Sequence, residues 1–226
     1  MKILVFTYFD KRSKDKYSFE QIAKLTQPSK EEYCKIHGYD FISYEIEEYD
    51  KEIGWFKIDI FKQKLKDYDY IMYVEADCLI TNYNIKIEDV AQEMDFTVSK
   101  NVISKGWNGV NCGNLIVKNS QWSIDFINKL SNKEEFYHHV WAEQQALINE
   151  LENMNIWERG SHVHITSMRQ MGGFYHQWYE KDRWKHGDWI MHLAGCSNEF
   201  RYNMFNFLKD KIIRMPDYKI PFEPFV

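Results

Sequence analysis

The stretch Tyr70-Ile71-Met72-Tyr73-Val74 runs directly into Glu75-Ala76-Asp77-Cys78-Leu79-Ile80-Thr81-Asn82. Its first five residues are apolar throughout, the pattern of a strand buried on both faces in the middle of a parallel sheet. Two carboxylates flanking a small residue follow, and then apolar residues resume. In an extended chain, residues two apart project to the same side, so Glu75 and Asp77 converge on one point beyond the strand. Paired acids there are costly unless a cation or another partner neutralises them. Hard divalent ions such as Mg²⁺ or Mn²⁺ take oxygen ligands and bridge to substrate phosphates. An ordinary acidic loop is the alternative, and the triplet alone does not decide between them.

Outward from this strand, strands and helices alternate. Lys2 to Tyr8 reads as a buried first strand. Ser18 to about Ile36 has helical spacing, with Pro28 as an expected interruption and Gly38 as the residue that ends it. Phe41 to Tyr44 is a second strand, and Trp55 to Leu65 an amphipathic helix. Further strands are expected at Asp95–Ser99, Asn114–Lys118, His162–Thr166 and Trp189–Leu193. Helices are expected at Ser120–Leu130, with Ser120 as N-cap, at Ala142–Leu151 and at Glu199–Ile212. Strand-helix-strand-helix-strand predicts an α/β sheet with right-handed crossovers. Ligands then sit beyond the strands' carboxyl ends, at Thr7-Tyr8-Phe9-Asp10 and at Glu75-Ala76-Asp77.

Composition narrows the function. The chain has 226 residues, 44% of them hydrophobic, and no repeat or linker, so one domain over residues 1–226 is expected. The net charge of −5 argues against a nucleic-acid binder held by a basic field. An aromatic content of 17% with four prolines argues against disorder. The aromatics serve a core, with sugar- or base-stacking platforms as the sharper reading. No apolar run is long enough to span a membrane, and no signal peptide opens the sequence. Four scattered cysteines form no zinc spacing, the pattern of a reduced chain. A soluble, cytoplasmic protein of viral or bacterial origin, beginning directly at its first strand without an anchor, is the expectation.

Three further segments bear on chemistry. His192 follows an apolar strand and precedes Ala194-Gly195, where backbone can approach a ligand closely; a structural histidine is the plainer reading. Gly109-Val110-Asn111-Cys112-Gly113-Asn114 reads as a tight turn with exposed N–H groups. Trp141-Ala142-Glu143-Gln144 places a carboxylate and an amide at a helix start, where a solvated face is the default.

The order and spacing of these pieces resemble the nucleotide-sugar-dependent glycosyltransferases of the GT-A fold. Within them the likeness is to glycosyltransferase family 34, which holds α-galactosyl-, α-mannosyl- and xyloglucan xylosyltransferases. It rests on Tyr33 with His37-Gly38-Tyr39-Asp40-Phe41, on Trp55 with Lys57-Ile58, and on Tyr70 to Asn82. Asn111-Cys112-Gly113, Asn119-Ser120-Gln121-Trp122-Ser123, Glu143-Gln144 with Ala146-Leu147, and His192-Leu193-Ala194-Gly195-Cys196 complete it.

The resemblance implies a single Rossmann-like α/β domain with a mixed central sheet flanked by helices. It implies a metal-dependent, retaining transferase acting from a UDP- or GDP-sugar donor onto a glycan acceptor. Glu75-Ala76-Asp77 stands where the family has Asp-x-Asp, so Glu75 is a departure and Asp77 the more direct ligand for Mn²⁺ or Mg²⁺; His192 completes the metal set. Thr7, Tyr8 and Phe9 match the nucleoside end. Lys57 matches the family's diphosphate cation, a solvated lysine being the alternative. The cation expected soon after Cys196 is absent, Arg201 being the first. Gly195, Asn111 and Gly113 fall against the donor, Gln144 beside Glu143 against the transferred sugar, and Tyr175 and Trp178 toward the acceptor. A non-catalytic sugar- or nucleotide-sugar-binding protein and a sugar nucleotidyltransferase are the alternatives. The absence of glycine from residues 7–16 counts against the nucleotidyltransferase.

Overall fold

The computed structural model describes residues 1–101, 109–175 and 182–209. Nine strands and eight α-helices occur among the described residues. They are β1 (Ile3–Asp10), α1 (Phe19–His37), β2 (Asp40–Ile46), α2 (Phe56–Lys64), β3 (Tyr70–Val74), β4 (Cys78–Ile80) and α3 (Ile87–Ala91). Then come β5 (Phe96–Lys100), β6 (Val110–Lys118), α4 (Gln121–Ser131), α5 (Ala142–Asn153), α6 (Ile156–His162) and β7 (Val163–Thr166). The last are α7 (Met168–Met171), β8 (Gly173–Phe174), β9 (Ile190–His192) and α8 (Asn198–Leu208). The main sheet has the order β2-β1-β3-β6-β5-β7, and a small sheet the order β4-β9-β8.

Alternation explains the two cores. Leu4, Phe6, Tyr8, Ile71 and Tyr73 point to the face covered by Phe61, Ile127 and Leu147 of α2, α4 and α5. Ile3, Val5, Tyr70, Met72 and Val74 point to the other, against Tyr33 and Cys34 of α1. Hence β3 is apolar at every position, as its sequence predicted. Its surroundings are mixed rather than parallel: β1 runs parallel to it on one side and β6 antiparallel on the other.

Local rules placed most boundaries. The Ser18 hydroxyl caps α1, and Gly38 ends it with a left-handed φ of 71°. Ser120 caps α4 in the same way. Two expectations are corrected. Pro28 does not interrupt α1: it sits on the exposed side, where water can serve the carbonyl that its missing N–H leaves unpaired. Residues 110–114 are not a tight turn but the first half of β6, paired with Ser99 and Lys100 across a register shift. Helix α8 is described to Leu208, so the expected continuation toward Ile212 lies outside the described residues. No helix among the described residues is long and apolar enough to cross a membrane.

A candidate metal and nucleotide-sugar centre between two sheets

Residues 75–77 are where the chain leaves the main sheet for the small one. They form a tight turn rather than the extended segment expected, with the Cys78 N–H bonded to the Glu75 carbonyl at 3.1 Å. The turn is pinned from all sides. The Glu75 N–H reaches the Gly113 carbonyl at 2.9 Å, and the Leu193 N–H reaches the Asp77 carbonyl at 3.2 Å. The Thr26 hydroxyl donates to the Ala76 carbonyl at 2.6 Å. The Ala76 methyl packs against Phe9 and Ala23.

The carboxylates converge all the same. Antiparallel pairing sets Cys78 of β4 opposite His192 of β9. His192 Nε2 then stands 3.2 Å from Glu75 Oε2 and 3.4 Å from Asp77 Oδ1. Asp77 Oδ2 is held by Arg201 Nε of α8 at 2.8 Å. Asp77 and His192 are buried, at 2% and 1% exposure, while Glu75 faces the solvent. Burial would raise the Asp77 carboxyl, but His192, Arg201 and Lys30 outweigh it and hold it below the usual range. Burial would lower the His192 imidazole, but the two acids lift it to about 9.

A divalent ion fits this set. Asp77 Oδ1 is buried, forms no hydrogen bond and meets only the His192 ring at 3.4 Å among the described residues, which leaves it a lone pair for a cation. The group whose ligand atoms all lie within 4.8 Å of one another is Asp77, Cys78 and His192, with Glu75 reaching His192 from the cleft side. Gly113 supplies the room. A methyl there would meet Glu75 Oε2 at 2.5 Å and His192 Cε1 closer still. Cys78 Sγ also lies near Asp77 and His192. Burial pushes its thiol well up, and its sulfur accepts from Asn114 Nδ2.

A cleft of about 340 Å³ opens beside Glu75, walled by Tyr8, Phe9, Gly54, Lys57, Glu143 and Gln144 among others. Lys57 is buried in this wall. Its ammonium meets Glu143 Oε1 at 2.6 Å and the Cys112 carbonyl at 3.0 Å, over the Tyr73 ring. Burial opposes its charge, but Glu143 more than compensates and raises its pKa. Gly54 is required beneath this pair, because a methyl there would collide with the Glu143 carboxylate. Gln144 accepts the Cys112 N–H at 3.2 Å, which fixes its amide at the cleft wall.

The other expected residues fall variously. Tyr8 stacks on Tyr73 with centroids 5.0 Å apart, and its hydroxyl reaches the Gly54 carbonyl at 3.3 Å. Thr7 is wholly buried and accepts from Lys30 at 3.4 Å. The Asn111 side chain accepts the Gly113 N–H at 3.0 Å. Gly195 takes a left-handed φ of 71° in the turn before α8. Tyr175 packs against Phe200, away from the cleft lining, with Arg183 over its ring. Trp178 lies outside the described residues.

The residue that sequence reasoning missed is Lys30. It is fully buried with no carboxylate bonded to it, and donates to the Glu75 carbonyl at 2.8 Å and to Thr26 and Thr7. Burial lowers its ammonium to about 8 against the pull of Asp77 and Glu75. Its signal was a lysine on the buried stripe of α1, in line with Ile22, Thr26 and Tyr33.

The fold is that of the GT-A glycosyltransferases. A glycosyltransferase involved in glycosylation of the major capsid of PBCV-1 superposes with a TM-score of 0.69 at 16% identity, covering 92% of this chain and all of that one. A Drosophila β-1,4-galactosyltransferase 7 in complex with manganese, UDP-Gal and xylobiose gives 0.51 at 14% identity, over 96% of this chain and 82% of that one. Within that fold, the chain belongs to the family described as "Protein of unknown function, DUF273", whose model matches residues 31–147. An uncharacterised α-1,2-galactosyltransferase of Schizosaccharomyces pombe is 24% identical over 74% of this chain and 54% of its own. Xyloglucan 6-xylosyltransferase 1 of Arabidopsis thaliana is 26% identical over 44% of this chain and 24% of its own. The chain thus spans about half the length of the first of these relatives and less of the second. Their names agree with the resemblance to glycosyltransferase family 34.

Proposed function

We propose that the chain is a metal-dependent, retaining glycosyltransferase that moves a hexose or pentose from a UDP- or GDP-linked sugar to a glycan hydroxyl. The observation that carries this reading is the meeting of Glu75 and Asp77 at His192 beside an open cleft, with Asp77 and His192 both buried. The relatives named for galactosyl and xylosyl transfer, and a fold neighbour holding manganese with UDP-Gal, support it.

Glu75, Asp77 and His192 would hold Mn²⁺ or Mg²⁺. When bound, the ion compensates the charge of the leaving diphosphate as a Lewis acid. Arg201 keeps Asp77 turned so that Oδ1 remains available. Tyr8, braced on Tyr73, offers the cleft an aromatic surface for the nucleoside. Glu143 and Lys57 neutralise one another in the wall, and Gln144, fixed beside them by the Cys112 N–H, is the amide we assign to the transferred sugar. An amide is a poor nucleophile, so the route is front-face substitution in which the leaving phosphate takes the acceptor's proton.

Calorimetry of Mn²⁺ binding, followed by UDP and GDP titration, tests the reading. Wild-type protein is expected to bind one of the nucleotides only with Mn²⁺ present and to hydrolyse the matching sugar donor slowly. Asp77→Ala is expected to lose both properties. Full donor turnover in Asp77→Ala overturns the metal assignment. Nucleotide binding without any turnover favours a non-catalytic binding protein.

A further inference from the structure

We infer that Trp141 is the acceptor platform of the cleft and that its ligand is the apolar face of a neutral pyranose. This rests on the transferase reading above and assigns the second substrate's place within it.

Trp141 lies on the cleft wall next to Gln144 and is 47% exposed. It differs from the other tryptophans described near the site. Trp55 and Trp189 are buried, and Trp184 donates its indole N–H to Thr81. The Trp141 ring has no aromatic neighbour and its indole N–H no partner among the described residues. Its backbone, by contrast, is held firmly. The Trp141 N–H bonds His139 Nδ1 at 3.1 Å, and its carbonyl accepts from Gln144 N at 3.0 Å and Gln145 N at 3.3 Å.

The next residue carries a conformational cost. Ala142 has φ of 43°, a left-handed value unusual for a residue with a Cβ, and its N–H is tied to the His139 carbonyl at 2.7 Å. Backbone outliers of this kind persist where surrounding structure enforces them, and they concentrate at ligand sites. Here the outlier joins the exposed indole to the helix that carries Gln144. A rigid, half-exposed aromatic face set by a strained turn suits a flat ligand.

The surrounding charge selects the ligand. Val140, 85% exposed, extends the apolar strip. Glu52 stands exposed on the same cleft, its carboxylate hydrogen-bonded to no described residue, with the Arg12 guanidinium close enough to feel its charge. Carboxylates accept from sugar hydroxyls and repel anionic groups. An indole face with a carboxylate rim therefore fits a neutral pyranose and disfavours a uronic acid or a sulfated sugar.

The test uses the indole N–H signals of ¹⁵N-labelled full-length protein with Mn²⁺ and UDP present. The chain has eight tryptophans, and Trp141→Phe identifies the Trp141 signal by its disappearance. Methyl β-galactopyranoside, methyl α-mannopyranoside and xylobiose are titrated in turn, with glucuronic acid as the anionic comparison. At least one neutral sugar is expected to shift the Trp141 signal, and glucuronic acid is not. Trp141→Ala should weaken that binding about tenfold, and Trp141→Phe should restore most of it. Circular dichroism checks that both variants fold. A Trp141 signal unmoved by every neutral sugar, or affinity unchanged in Trp141→Ala, overturns the inference while leaving the transferase reading intact. Failure of the wild type to bind UDP with Mn²⁺ overturns that reading and this inference with it.

Discussion

Replacing Gly113 by alanine changes no metal ligand, yet it should disable the centre. Gly113 lies in β6 with its Cα facing the space between His192 and Glu75. A methyl carbon there would stand 2.5 Å from Glu75 Oε2, 2.9 Å from Asn111 Oδ1 and nearer still to His192 Cε1. Ordinary contact needs about 3.5–4.0 Å, so one ligand must retreat by roughly 1 Å. Glu75 is partly exposed and can swing away, whereas His192 is buried and cannot. A metal bond tolerates an error of about 0.2 Å. The expected result is a loss of Mn²⁺ affinity of about 100-fold or more, beyond the 10–100-fold typical of outer contacts, because a ligand itself is displaced. Calorimetry or Mn²⁺ electron paramagnetic resonance reads this, with far-UV circular dichroism to confirm the fold. Gly160→Ala provides the control. It sits in α6 with nothing within 4 Å of an added methyl, and should bind Mn²⁺ as wild type does while gaining about 0.5–1 kcal/mol of stability. Mn²⁺ affinity in Gly113→Ala within twofold of wild type would refute the assignment of this space to the metal.

Two other outcomes follow from the buried charges. Lys57→Met strands the Glu143 carboxylate in the cleft wall and should cost about 3–5 kcal/mol in denaturant unfolding, with Lys57→Met/Glu143→Leu recovering much of it; equal stability of the single variant and wild type would show that the pair is not buried in solution. Glu150 is clasped by Lys129 at 2.6 Å and Lys133 at 2.5 Å. Burial works against its charge, but the two lysines prevail and hold its carboxyl below the ordinary value of 4.5. Its contribution is therefore present above pH 4.5 and lost as the pH falls through the folded-state value. Glu150→Gln should flatten the acid limb of a plot of Tm against pH, and an unaltered limb would contradict the pairing.

Much of the fold was legible because its signals are local. Apolar runs gave β1 and β3, and Ser18, Gly38 and Ser120 marked helix ends through hydrogen bonds made within a few residues. What stayed hidden depends on distant chain. Residues 78–80 are an apolar run too short to read as a strand by itself, and pairing with β9 makes them one. Asn111 and Gly113 carry turn-forming residue types, but β3 and β5 on either side recruit them into a strand. The candidate ligands were readable as residue types in a family's order. Their geometry was not: Glu75 and Asp77 each reach His192 from a turn rather than from an extended strand. Nor does spacing reveal that Lys57 is engaged by Glu143, or that Arg201 turns back onto Asp77.

The turn between the two sheets has a consequence for how the chain is made. Synthesis runs from the amino terminus, so earlier residues are made first. Strands β1, β3 and β6 can pair while β9 and α8 are still unmade, so Glu75 and Asp77 are in place well before His192 and Arg201. During that interval the cation close beneath them is Lys30, delivered early by α1 and bonded to the turn's own carbonyls. Lys30 is thus the buried positive charge at the turn that comes from the amino-terminal half of the chain, whereas Arg201 and His192 come from the later half. The candidate centre therefore depends on β9 and α8, which carry His192 and Arg201 to a turn built from residues more than a hundred positions earlier.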